Sequence, residues 1–196
     1  MEFREVVARR RMVRHFAEDP VTDEVIERIA AAAQRAPSAG FSQGQRLIVI
    51  TTPEGRRRVA GLLDEETGVA EGWDRWISEC AALFVPCVSE QIYHRRYREA
   101  DKVDDAGAEI EWPVPYWFVD VGMTAMLVLL AAVDEGLAAG FSGITDLAAF
   151  RHALGIPDEF TPIGVIPVGR PLPDRRSPSL RRGWVPAEEF VHRESW

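Results

Sequence analysis

Four arginines stand within six positions in Arg9-Arg10-Arg11-Met12-Val13-Arg14, and His15 and Phe16 follow directly. Guanidinium groups this close repel one another unless an anion sits among them, and their planar forks suit bidentate contact with phosphate. At the end of a short helix over residues 2–9, some would also complement the helix dipole. By charge alone a solvated basic face explains the cluster equally well. A second group is Ala36-Pro37-Ser38-Ala39-Gly40-Phe41-Ser42-Gln43. Small, turn-forming residues there let backbone amides approach a flat ligand closely, although an ordinary helix-to-strand connection is the simpler reading of this stretch alone. His15, His94, His152 and His192 form no catalytic pattern, and no Ser/His/Asp set emerges. Cys80 and Cys87 lack metal-ligand spacing and read as reduced, buried thiols, so no metal site is expected.

These residues need a scaffold. The 196-residue chain is long enough for one full core, and a single domain over 1–196 is expected. Its net charge of −8, from 31 acids against 23 bases, argues against nucleic-acid partners. Only one of the bases is a lysine, Lys102, so the cationic chemistry is almost wholly arginine. The N-terminus has no apolar h-region or cleavage signature. The longest apolar run, Val121 to Val133, is too short to span a bilayer. A cytoplasmic protein without a membrane partner is the expectation.

The pattern predicts a helix opened by Thr22 and closed before Pro37, a strand over Leu47–Thr51, and an arginine-rich helix after Thr52-Pro53-Glu54-Gly55. A second strand covers Ala81–Val88, where Pro86 suggests an edge or terminus. Residues 89–118 mix charge with the aromatic patch WPVPYWF and read as a lid. A central helix near 117–137 is apolar almost all round, so burial on most faces is expected. Strands over Gly140–Ile144 and Ile163–Val168 follow, separated by a helix. The tail from Arg170 is too apolar at its end for free coil and should dock on something. Interspersed elements with more helix than strand give an α+β class, a small mixed sheet enclosed by helices.

Taken together, the motifs resemble those of the nitroreductase family of FMN-dependent oxidoreductases. Arg10-Arg11-Met12-Val13-Arg14-His15-Phe16 is similar to the family's R-R-S-x-R-x-F, and Ala36 to Gln45 aligns without gaps to A-P-S-x-x-N-x-Q-P-W. Asp120 to Ala125, Ala153 to Pro157, Val168 to Pro171 and Pro186 to His192 follow in the family's order, so the resemblance spans nearly the whole chain. It implies a homodimer with FMN at the interface and a domain-swapped C-terminal arm, about 170–196. One subunit would bring Arg10, Arg11, Met12 and Arg14 to the phosphate and ribityl chain. The other would bring Pro37, Ser38, Ala39, Phe41 and Gln43 to the ring. Ser142 and Gly143 would supply amides near the flavin, and Arg181 or Arg182 a tail arginine for the phosphate. Phe41, Trp112, Tyr116 and Trp117 would meet the substrate, with Tyr93 and Tyr97 beside them; for each lid aromatic, simple packing against the core is an equal reading.

The implied activity is NADH or NADPH oxidation by ping-pong hydride transfer through flavin N5 to a small aromatic or quinone-like acceptor, with no obligatory catalytic side chain. Met12, Phe41 and Gly44-Gln45 depart from the family pattern and leave the acceptor open. Some segments are similar to the branch that fragments reduced FMN with oxygen to form dimethylbenzimidazole, although that branch carries an acid where Met12 stands. A non-catalytic flavin-binding or storage protein is the other alternative.

Overall fold

The computed structural model describes residues 1–175 and 177–196. Its elements run in chain order as α1 (Phe3–Arg9), α2 (Asp23–Ala33), β1 (Gln45–Ile50), α3 (Pro53–Leu62), α4 (Glu65–Ala70), β2 (Ala82–Val88), α5 (Glu90–Tyr97), α6 (Tyr116–Asp134), β3 (Ala138–Ala139), α7 (Leu147–Leu154), β4 (Thr161–Pro162), β5 (Ile166–Gly169) and α8 (Ala187–Phe190). Local chemistry accounts for several boundaries. Pro53 opens α3 and the Thr52 hydroxyl accepts from the Gly55 amide at 3.1 Å, while Asp146 caps α7 through the Ala149 amide at 2.9 Å. Gly155, at φ 63°, closes α7 in the left-handed region.

The sheet has the order β1-β2-β5-β3, and β4 also pairs with β2. Every strand pair is antiparallel, so the sheet is not mixed. Interspersed helices suggested a mixed sheet, but every hydrogen-bonded neighbour runs the opposite way: β2 and β3 share a direction, and the antiparallel β5 lies between them. Among the described residues parallel pairing survives only as an isolated bridge between Met12 and Ala139.

Strand β2 is central and every residue in it is buried. Alternation splits its side chains between two layers. Leu83, Val85 and Cys87 face Val59, Phe150 and Phe16 on one side, while Ala82 and Phe84 face Ile29, Val128 and Leu129 of α2 and α6 on the other. Pro86 therefore marks no edge. Phe84 pairs with Ile166 and Cys87 with Pro162, so two residues on β2 oppose three, Ile163 to Val165, across the ladder. The Pro86 carbonyl accepts from Ile163 at 3.0 Å on that side, which puts the missing proline N–H into the bulge, where it disturbs no regular ladder bond. The same bulge divides the strand expected over Ile163–Val168 into β4 and β5. No strand forms over Gly140–Ile144, where one was expected: β3 ends just before it, and the span itself keeps only a single bridge from Ser142 to Val165. Cys80 and Cys87 are buried and unpaired, and burial pushes both thiols up to about 12.

Helix α6 packs one side onto α2 and the sheet through Val121, Ala125, Val128, Leu129 and Ala132. Its other side leaves Phe118, Val119, Gly122, Met123 and Met126 exposed, so the expectation of burial on most faces fails within one chain. At 19 residues and a mean hydropathy of 1.9, α6 is long and apolar enough to cross a membrane by length and composition alone, and half of it lies inside this fold.

Candidate functional site

Beyond α1 the chain runs extended along the sheet. The Val13 amide donates to Ala139 at 3.1 Å, and Val13 and Phe16 are fully buried as anchors. The start of the tail lies alongside: Ala17 donates to Arg170 at 2.9 Å, Leu172 to His15 at 3.0 Å, and the Arg14 amide to Asp174 Oδ2 at 2.9 Å. Gly140 lets β3 come close, because a Cβ there would lie 2.6 Å from the Val13 carbonyl and 2.7 Å from Trp76. The arginine cluster and the Ser142-Gly143 turn are thus neighbours. Ser142 is tied to Val165 by two backbone bonds of 2.8 and 2.9 Å, and the space beside Gly143 is open.

Arg9 pairs with Glu5 at 2.5 Å. Among the described residues Arg10, Arg11 and Arg14 have no carboxylate within salt-bridge distance, and Met12 lies exposed between them. The Arg14 guanidinium sits 5.7 Å from the Trp73 ring and 5.5 Å from Trp76. Those tryptophans ride on a loop held by the buried Glu65, which accepts from the Ile77 amide at 2.6 Å and the Ser78 hydroxyl at 2.5 Å. Arg181 and Arg182 lie on an exposed 3₁₀ turn and make no hydrogen bond or ion pair to the cluster.

The segment after α2 is backbone-strained and tightly tied. Phe41 and Gln43 adopt φ of 56° and 52°, in the left-handed region that side chains disfavour. Ser38 Oγ accepts from the Gln43 amide at 2.9 Å, and the Ala39 amide donates to Asp120 Oδ2 at 2.8 Å. Gly40 lies against Tyr97, where a Cβ would come within 2.7 Å, and its carbonyl accepts from Arg96 at 3.0 Å. Phe41 projects outward, 75% exposed. Pro37, Ser38, Phe41 and Gln43 border a groove of about 1010 Å³ that continues past Leu47 to Thr124. None of the cluster arginines lines it.

Asp120 was not singled out as a site residue. It is the sole charged side chain in α6 before Asp134, and a charge inside an apolar helix is the signal that could have found it. It is buried and also accepts from the Tyr93 hydroxyl at 2.8 Å. Burial first, then this bond, pushes the Tyr93 phenol well above its ordinary range. Tyr93→Phe leaves a buried carboxylate one donor short and is expected to cost about 1–3 kcal/mol of stability, measurable by urea denaturation.

Residues 89–118, expected as a lid, are ordered by α5 and an aromatic cluster. Trp112 packs edge-on against Tyr97 at 4.5 Å and Trp117 at 5.7 Å. Trp117 is buried in that cluster, Trp112 is half-buried, and Tyr116 is exposed. His94 bonds Glu109 and Glu90, while Glu109 also takes Trp112 Nε1 at 2.7 Å and Arg98 at 2.8 Å. The Glu109 hydrogen bond raises the His94 pKa above its ordinary 6.5. Burial alone would raise Glu109, but the bonds from His94, Trp112 and Arg98 outweigh it and bring it to about 2. The His94 contribution is complete below pH 6.5 and fades as pH rises through its raised value; the Glu109 contribution is complete above 4.5 and fades toward 2. Amide exchange over residues 94–112 should therefore be slowest between pH 4.5 and 6.5, after correction for intrinsic rates, and His94→Gln should remove the alkaline loss.

The chain is 29% identical to the 5,6-dimethylbenzimidazole synthase of Rhodospirillum rubrum, over 89% of this chain and 85% of that protein. It is 24% identical to an Archaeoglobus fulgidus protein with the provisional name NADH dehydrogenase/NAD(P)H nitroreductase, over 95% of this chain and 94% of the relative. Among solved structures it shares its fold with the NADPH:FMN oxidoreductase of Vibrio harveyi complexed with NAD+, at a TM-score of 0.72 and 22% identity, covering 99% of this chain and 77% of that one. The model of the nitroreductase family matches residues 7–170, and the chain belongs to that family.

Proposed function

We propose that this protein is an FMN-dependent NAD(P)H oxidoreductase, a homodimer that passes hydride through flavin N5 to a small aromatic or quinone-like acceptor. The observation that carries this reading is the trio Arg10, Arg11 and Arg14, free of acid partners among the described residues and beside the Gly140–Gly143 turn. The surroundings suit the rest of the cofactor. Asp174 Oδ1 is buried without a hydrogen-bond partner and matches a hydroxyl donor, and the small-residue loop at Pro37-Ser38-Ala39 matches a flat ring. The exposed apolar side of α6 and the uncovered arm, where Trp184 is 90% exposed and Phe190 77%, support a second copy covering both.

FMN when bound supplies the hydride chemistry. The arginines bind and orient its phosphate, and the turn offers the Gly143 amide, since the Ser142 amide is spent on Val165 at 2.8 Å and the expected pair of amides is reduced to one. The strained loop presents Phe41, and the lid carrying Tyr116 excludes water. The test is an absorption spectrum of the purified protein followed by anaerobic titration with NADH and with NADPH. A colourless protein that takes up no FMN sinks the reading. The likeness to the dimethylbenzimidazole synthase favours one second reading, oxygen-dependent fragmentation of the reduced flavin. Loss of the flavin spectrum in air, with product formed, would establish it.

A further inference from the structure

We infer that Arg175, laid on Trp73, is the tail arginine that completes the phosphate-binding set, and that Asp174 receives a hydroxyl of the chain bearing that phosphate. This rests on the flavin reading above. The Arg175 guanidinium carbon lies 4.9 Å from the Trp73 centroid, and that of Arg14 lies 5.7 Å from the same centroid. Gly72, at φ 85°, leaves room beside it, since even a Cβ there would stay 3.8 Å from the Arg175 guanidinium.

A guanidinium seated over an indole spends no N–H on another protein acceptor there, so its N–H groups can fork onto phosphate oxygens. Among the described residues no carboxylate pairs with either arginine; nearby Asp74 approaches His15 at 3.7 Å instead. Two cations held on one ring repel each other, and an anion between their edges removes that cost.

The placement is built into the backbone. Bonds from Ala17 to Arg170, Leu172 to His15 and Arg14 to Asp174 lock residues 170–174 against the N-terminal strand, so Arg175 emerges beside Arg14. Asp174 points Oδ2 at the Arg14 amide and leaves Oδ1 buried and without a partner among the described residues. A buried acceptor without a donor is costly, and a polyhydroxy chain ending in a phosphate supplies both the donor and the anion. Arg181 and Arg182 share none of these ties.

The test titrates FMN and riboflavin, by flavin fluorescence, into the wild type and the variants Arg175→Ala, Asp174→Asn, Arg181→Ala and Arg182→Ala. Arg175→Ala should weaken FMN about ten- to a hundredfold and leave riboflavin unchanged, so that discrimination between them collapses. Asp174→Asn should weaken both flavins alike. FMN affinity that survives Arg175→Ala, or falls instead in Arg181→Ala or Arg182→Ala, overturns the assignment; so does an equal loss of riboflavin in Arg175→Ala. A wild type that binds neither flavin removes the flavin reading itself. Arg175 is then decided by inorganic phosphate, whose protection against thermal unfolding must vanish in Arg175→Ala.

Discussion

Arg14→Ala is expected to weaken FMN binding by about ten- to a hundredfold. Losing one charge-assisted contact to a phosphate costs about 1.5–3 kcal/mol, and each 1.4 kcal/mol is a factor of ten. Arg14 stands apart from Arg10 and Arg11 in being oriented beforehand, its guanidinium held against Trp73 and Trp76. Little ordering entropy is left to lose on binding, so its contribution should lie at the upper end of the range. The variant should still fold, because the bond from residue 14 to Asp174 comes from the main-chain amide and survives truncation. Arg9→Ala is the control: its partner is Glu5, both groups are exposed, and FMN affinity should not move. Equilibrium titration of both variants decides the matter. Unchanged affinity in Arg14→Ala removes that residue from the site.

If the chain forms the proposed dimer, Met123→Asp is expected to yield monomers that have lost the proposed flavin. Met123 lies in the exposed stripe Phe118, Val119, Gly122, Met123 and Met126, on the side of α6 that faces away from α2 and the sheet. In a lone chain a carboxylate there is almost neutral, within about 0.5 kcal/mol. Covered by a second copy, it becomes an unpaired buried charge, with a cost of about 3–5 kcal/mol. The two cases differ by orders of magnitude in dissociation constant, and sedimentation equilibrium separates them. Undiminished mass in the variant, or a wild type that sediments as one chain, rejects this side of α6 as the dimer interface.

Much of the fold was legible where the deciding chemistry is local. Thr52 and Pro53 announce α3, Asp146 and Gly155 bracket α7, and the apolar run of β2 announces a buried strand. Strand direction was not legible, because pairing is chosen between distant segments. Pro86 misled for the same reason: its missing donor falls opposite an extra residue supplied by a strand far along the chain. The site divides similarly. Arg10, Arg11 and Arg14 were visible as a local crowd of like charge, and the Pro37–Gln43 loop as a run of turn formers. Asp120 was visible only as an oddity, since its meaning comes from Tyr93 and Ala39 on other elements. Arg175 carried no signal at all; it matters because it lands on Trp73.

The backbone tie between residues 13–17 and 170–174 also has a consequence for biosynthesis. Val13 and Phe16 are anchors of the inner layer, yet the Asp174 carboxylate that receives the Arg14 amide is translated 160 residues after it, and the Arg170 carbonyl that receives the Ala17 amide lies in the same late segment. On the ribosome the extended segment over residues 13–17 must wait, its arginines loosely held, until residues 170–174 have emerged. Acquisition of the cofactor would then be a late event, and a flavin-loaded molecule would report that synthesis had run through Asp174.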